Sequence, residues 1–120
     1  MIFGKKLRQI RLENELKQED VADKLGFKSN SYISEVESGK FIPSDDHLKG
    51  WAEVLGMSWD EMELLKLETK IEALGISDPA FTMMFKEVPN MTSEEKKSIV
   101  RAFEAVLKAR QAKGQHKTKP

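Results

Sequence analysis

Residues Gln18 to Gly39, QEDVADKLGFKSNSYISEVESG, decide how this 120-residue chain folds. Val21, Ala22 and Leu25 share one helical face. Gly26 closes that helix, because glycine reaches the left-handed conformation at little cost. A polar run, Lys28-Ser29-Asn30-Ser31, comes next, and Ile33 and Val36 then recur at i,i+3 on a second short helix. Two short amphipathic helices joined at a glycine are the sequence form of a helix-turn-helix. Ala22 is small where the two helices must come close.

Outward from this pair the pattern stays helical. Phe3, Leu7 and Ile10 recur at helical spacing in a first helix, and Asn14 to Lys17 connect it to the second. After the central pair, Gly39-Lys40-Phe41-Ile42-Pro43 reads as a loop, since Gly ends one helix and Pro blocks entry to the next. Ser44 is placed to cap a fourth helix, with Asp45 and Asp46 at the favourable end of its dipole. Leu48, Trp51, Ala52 and Leu55 give that helix one apolar face, and Gly56 stops it. Ser58 with Glu61 forms a capping-box pattern for a fifth helix that holds Trp59 and Met62.

The fifth helix runs on. Leu64, Leu67, Ile71 and Leu74 step by 3, 4 and 3 up to Gly75, a seam about two heptads long. Asp78-Pro79 opens a helix with Phe81, Met84, Phe85 and Val88 at i, i+3, i+4 and i+7, broken by Pro89-Asn90. Thr92 with Glu95 caps a last helix lined by Ile99, Phe103, Val106 and Leu107, and the polar tail after Ala112 is expected to fray. The expected architecture is all-α, with a domain over residues 1–66 and a helical extension over 67–120.

Composition excludes several classes. The chain has no cysteine, which removes disulfide and thiolate chemistry, and it has no apolar run of membrane-spanning length. A soluble, cytoplasmic protein is expected. His47 and His116 are far apart, and neither a phosphate-cradling Gly loop nor a metal-ligand cluster is present, so no enzyme chemistry and no cofactor are expected. Basic and acidic residues balance at 20 each, yet unevenly. Residues 1–64 carry nine basic against thirteen acidic side chains, and residues 65–120 carry eleven against seven.

Gln18, Ala22, Gly26, Ile33, Ser34, Glu37 and Gly39, followed by Lys40 and Pro43, resemble the phage-repressor/Cro class of helix-turn-helix, the xenobiotic-response-element (XRE) family. Ser31-Tyr32-Ile33-Ser34-Glu35-Val36-Glu37 is similar to that family's recognition helix, and the likeness extends from Leu7 to Met62. The resemblance implies a five-helix repressor domain, binding to double-stranded DNA and no catalysis. It places Gln18 on a DNA phosphate and Arg11 with Glu37 in a buried structural ion pair. One residue more than the family's usual spacing separates Gly26 from Ile33. That leaves open which of Lys28, Ser29 and Asn30 meets DNA.

The remaining candidates follow from helix geometry and base chemistry. Asn30, Ser31, Tyr32, Ser34 and Glu35 are expected on the exposed face of the recognition helix, because Ile33 and Val36 take the buried one. Asn pairs with adenine and a carboxylate accepts from the cytosine amino group; Glu35 is equally well an ordinary surface Glu bonded to a neighbouring Lys or Arg. Lys17, Ser38 and Lys40 are weaker candidates for backbone contacts, as are Lys108, Arg110, Lys113, Lys117 and Lys119 in the basic tail. One recognition helix covers few base pairs, so a homodimer on a palindromic operator is expected. Leu67, Ile71, Leu74, Phe81, Met84, Phe85, Ile99, Phe103, Val106 and Leu107 are the candidate dimerisation residues, and Phe41 and Ile42 offer a second contact. Phe81, Met83, Met84, Phe85 and Met91 also fit a ligand pocket, a groove for another protein, or plain packing. The alternatives to a dimeric repressor are an antitoxin-type regulator whose last helices bind a second protein, and an adaptor that no longer reads DNA.

Overall fold

The computed structural model describes residues 2–117, with side chains for residues 2–110. Every regular element among the described residues is helical. In chain order they are α1 (Ile2–Glu13), α2 (Gln18–Leu25), α3 (Ser31–Glu37), α4 (Asp45–Leu55), α5 (Trp59–Ala73), α6 (Pro79–Glu87), one 3₁₀ turn (Val88–Asn90) and α7 (Ser93–Lys117). The chain divides into two compact units, 1–76 and 77–120. The first therefore keeps the whole of α5, which a boundary at residue 66 would cut inside a continuous helix.

In the first unit the helices close around one core. Phe3 and Leu7 from α1, Val21 and Ala22 from α2, Ile33 and Val36 from α3, Leu48, Trp51 and Leu55 from α4, and Met62 and Leu65 from α5 are buried together. Each helix is short and would be marginal in isolation, so burial of these faces supplies its stability. Sharp ends set the angles. Gly26 and Gly56 adopt φ of 84° and 70°, and the next residues, Phe27 and Met57, each donate 2.8 Å hydrogen bonds back to Ala22 and Ala52 carbonyls. Lys17, at the cap of α2, donates its backbone N–H to Asp20 Oδ2 at 2.7 Å, a cap not apparent in the sequence pattern. Ser58 Oγ accepts from Glu61 N–H at 3.2 Å, as the capping pattern predicts.

The second unit pairs α6 with α7 through aromatic contacts. The Phe103 ring meets Phe81 edge-on at 5.1 Å and stacks on Phe85 at 5.6 Å. Asp78 Oδ1 caps α6, and the Thr92/Glu95 box caps α7 with reciprocal bonds of 3.0 and 3.2 Å. Thr92, chiefly through its backbone N–H bond to Glu95 Oε1, holds the Glu95 carboxyl below its ordinary value. Among the described side chains of α7, Val100, Phe103 and Leu107 are buried, so of the expected Ile99/Phe103/Val106/Leu107 face Phe103 and Leu107 point inward, Val100 takes the inner place expected of Ile99, and Val106 is exposed. The backbone of α7 stays helical to Lys117, beyond Ala112, because a lone Gly such as Gly114 costs a helix only about 1 kcal/mol.

Candidate nucleic-acid interface

The helix-turn-helix is α2, the turn 26–30 and α3. The turn occupies five residues, and α3 is an uninterrupted helix from Ser31 to Glu37. Lys28 and Ser29 are exposed at the tip, Asn30 occupies the cap position half-buried, and Ser29 Oγ accepts a long bond, 3.4 Å, from the Ser31 N–H. Phe27 turns inward and lies against the core.

From α3, Ile33, Val36 and Glu37 point into the protein, while Ser31 and Ser34, and Ser38 just past its end, are exposed and Glu35 is half-buried. The outward face is thus a row of small hydroxyls with one carboxylate. Ser38 already donates its hydroxyl proton to the Glu35 carbonyl at 3.0 Å, so it is a poor donor to phosphate. Tyr32 requires a correction. It was expected on the exposed face, but its ring stacks on Phe27 at 4.2 Å and meets Phe41, His47 and Trp51 at 5.7, 6.0 and 6.4 Å. Its hydroxyl is buried with no hydrogen-bond partner among the described residues, which takes it out of reach of base edges. Apolar burial of the ring against four neighbours outweighs the cost of that hydroxyl.

Beneath this face lies a buried charge network. Arg11 Nε donates to Glu37 Oε2 at 2.6 Å and Nη2 donates to Oε1 at 2.9 Å, a bidentate pair whose side chains are 7% and 3% exposed. Arg11 Nη1 also donates to the Leu16 carbonyl at 2.8 Å. Gln18, half-buried at the first position of α2, donates from Nε2 to Glu37 Oε1 at 3.1 Å. One carboxylate therefore gathers α1, α2 and α3. Gly4 makes this junction possible: a Cβ there would lie 2.5 Å from the Val36 carbonyl oxygen and 2.6 Å from that of Glu37. Neither helical periodicity nor spacing marks Gly4, since its role is a close approach between elements distant in sequence.

Lys17, Lys28 and Lys40 are exposed around the helix pair, with Glu19 among them. Such a sparse basic rim suits a few phosphate contacts rather than sequence-independent adhesion. Lys108 and Arg110 are exposed on α7, whereas the side chains of Lys113, Lys117 and Lys119 lie outside the described residues, as does that of His116. No cluster of His, Asp or Glu able to hold a metal ion occurs among the described residues, and no helix among them is long and apolar enough to cross a membrane.

The candidate dimerisation residues separate into two groups. Leu67, Ile71, Phe103 and Leu107 are already buried in a single copy, so they stabilise the fold of that copy and present no free surface. Leu74 and Val106 are exposed, and Phe81, Met84, Phe85 and Ile99 are half-buried. Met83, 68% exposed, joins the second group.

A five-helix core presenting the polar face of its third helix, with the second helix starting beside it, defines a helix-turn-helix DNA-binding domain. Residues 7–62 match the protein-family model described as Helix-turn-helix, so the chain carries a DNA-binding domain of the XRE-type helix-turn-helix family and is a DNA-binding transcription regulator. Comparison with curated proteins and with solved structures gave no match.

Proposed function

We propose that the chain is a dimeric repressor that binds a palindromic operator in double-stranded DNA and acts by occluding a promoter. The observation that carries this reading is the exposed face of α3, Ser31, Ser34 and Glu35, bordered by the Gln18 end of α2. With α3 in the major groove, the start of α2 falls on the phosphate backbone. Small serines let the helix approach the base edges closely and accept or donate as the base requires. Glu35 accepts from a cytosine amino group, and Asn30 at the cap pairs with adenine. Gln18, Lys17, Lys28 and Lys40 supply backbone contacts, which position the helix without reading sequence.

So few contacts per domain leave too little specificity for a single site, which favours two half-sites and a two-fold dimer. The second unit supports that step. No residue of α6 is fully buried, although Phe81, Met84, Phe85 and Val88 form an apolar stripe. A helix with such a stripe gains by burying it, and a second copy brings an identical stripe to meet it. Together with Met83 and Val106 of the same unit it forms the surface assigned to the dimer. Selection from a random DNA pool tests the reading. The full chain should enrich an inverted repeat with half-site centres about 34 Å apart. Asn30→Ala and Glu35→Ala should relax base preference, and Gln18→Ala should weaken all sites alike. Enrichment of a single, unrepeated site would refute the dimer, and unchanged preference in both α3-side variants would refute the assignment of the reading face.

A further inference from the structure

The bond between Gln18 and Glu37 joins the buried ion pair to the edge of the DNA-binding face. A carboxylate only accepts hydrogen bonds, so it decides which end of the Gln18 amide faces it. Nε2 must turn toward Glu37 Oε1, where it sits at 3.1 Å, and the amide oxygen must turn away. Of the two protons on Nε2, one is engaged by Glu37 and the other remains for an external acceptor. A DNA phosphate accepts only, so a donor held in a known orientation is what it needs.

We propose that Glu37 is a positioning residue for the Gln18 contact with DNA, and that the Arg11–Glu37 pair clamps the Gln18 amide ready to donate to a phosphate oxygen. This rests on the reading of α2 and α3 as the DNA-binding face. Arg11 serves the clamp twice. Its bidentate bonds, 2.6 and 2.9 Å, fix the carboxylate plane, and its own position is held by the Leu16 carbonyl at 2.8 Å. Its charge also neutralises Glu37, so that a phosphate drawn to Gln18 meets a neutral pair rather than a bare carboxylate. The gain is one of order. A free glutamine loses side-chain freedom when it binds, whereas a clamped one has lost it on folding. Immobilising one such side chain costs about 0.5–1.5 kcal/mol, so the clamp is worth about twofold to tenfold in affinity.

The test uses the full chain and an operator taken from the selection. Arg11→Met with Glu37→Met removes the pair together and leaves no uncompensated charge, a replacement that folded proteins commonly accept. Operator affinity is measured for the unmodified chain, for Gln18→Ala, for the Met pair, and for all three substitutions combined. A clamp predicts that Gln18→Ala costs about tenfold in the unmodified chain and no more than about threefold once the pair is replaced. Equal costs in the two backgrounds would overturn it, since mere destabilisation lowers affinity alike whether or not Gln18 is present. A chain that enriches no DNA would instead overturn the reading of the face on which the clamp depends. Should the Met pair not fold, exchange of the Gln18 side-chain amide protons in the unmodified, DNA-free chain decides the matter. One proton should exchange at least about fivefold more slowly than the other, and equal rates would overturn the clamp.

Discussion

Gly4→Ala should unfold this protein more readily, against the usual sense of a glycine-to-alanine change in a helix. In an open helix alanine gains about 1 kcal/mol over glycine. Gly4, however, is buried in α1 where that helix crosses the end of α3. An added Cβ would stand 2.5 Å from the Val36 carbonyl oxygen, 2.6 Å from the Glu37 oxygen and 2.9 Å from the Glu37 carbonyl carbon. All three are backbone atoms, so no side chain can rotate aside. To reach ordinary contact α1 must lift by roughly 0.9 Å, which opens the core around Phe3 and Leu7 and pulls Arg11 from Glu37. Overpacking of this kind costs about 1–3 kcal/mol, and rigid backbone neighbours put it at the upper end. After the helix gain the net loss is about 2 kcal/mol. With a urea slope of about 2 kcal/mol/M, the midpoint should fall by about 1 M. Gly50→Ala is the control. There the added Cβ meets only Leu25 Cδ2, at 2.9 Å, a terminal methyl that can move, so stability should be unchanged or slightly higher. Urea melts in which Gly4→Ala is as stable as Gly50→Ala would refute the reasoning.

Other substitutions probe different terms. Glu37→Ala leaves Arg11 buried without its partner and should cost about 3–5 kcal/mol in a urea melt, against less than about 1 kcal/mol for Glu35→Ala; similar losses would mean that the pair is not the critical charge. Burial chiefly raises the Glu68 carboxyl above its ordinary value, with Lys6 opposing and Glu72 adding to the rise. Its favourable contribution is therefore present below the unfolded value, about 4.3, and is lost as pH rises through the raised folded value. Glu68→Gln should accordingly raise the melting temperature at pH 7, with the difference shrinking as pH falls toward 4, and a constant difference would contradict it. Met83→Glu with Val106→Glu alters only exposed positions and should leave circular dichroism unchanged. The pair should turn a micromolar dimer into a monomer by sedimentation, and a variant that still dimerises would place the interface elsewhere.

Helix order, helix ends and the inward faces of α1 to α5 were legible in the sequence, because each depends on interactions within a few residues: apolar periodicity, a glycine able to reach positive φ, a capping side chain. The Arg11–Glu37 pair came from resemblance, as its partners are twenty-six positions apart. What the sequence could not supply were the contacts between elements. Tyr32 sits at a position that periodicity alone leaves exposed, yet Phe27, Phe41, His47 and Trp51 converge on it only once the turn and α4 are in place. Gly4 reads as an unremarkable helical glycine until α3 is laid across it. The choice of Val100 over Ile99 as an inner position of α7 likewise depends on the rotation of a packed helix, which shifts with one residue of phase. Local order along the chain was thus set by neighbours in sequence. Which polar groups face DNA, and which are spent holding helices together, was decided by tertiary packing, because a side chain's direction is settled by the elements that close around it.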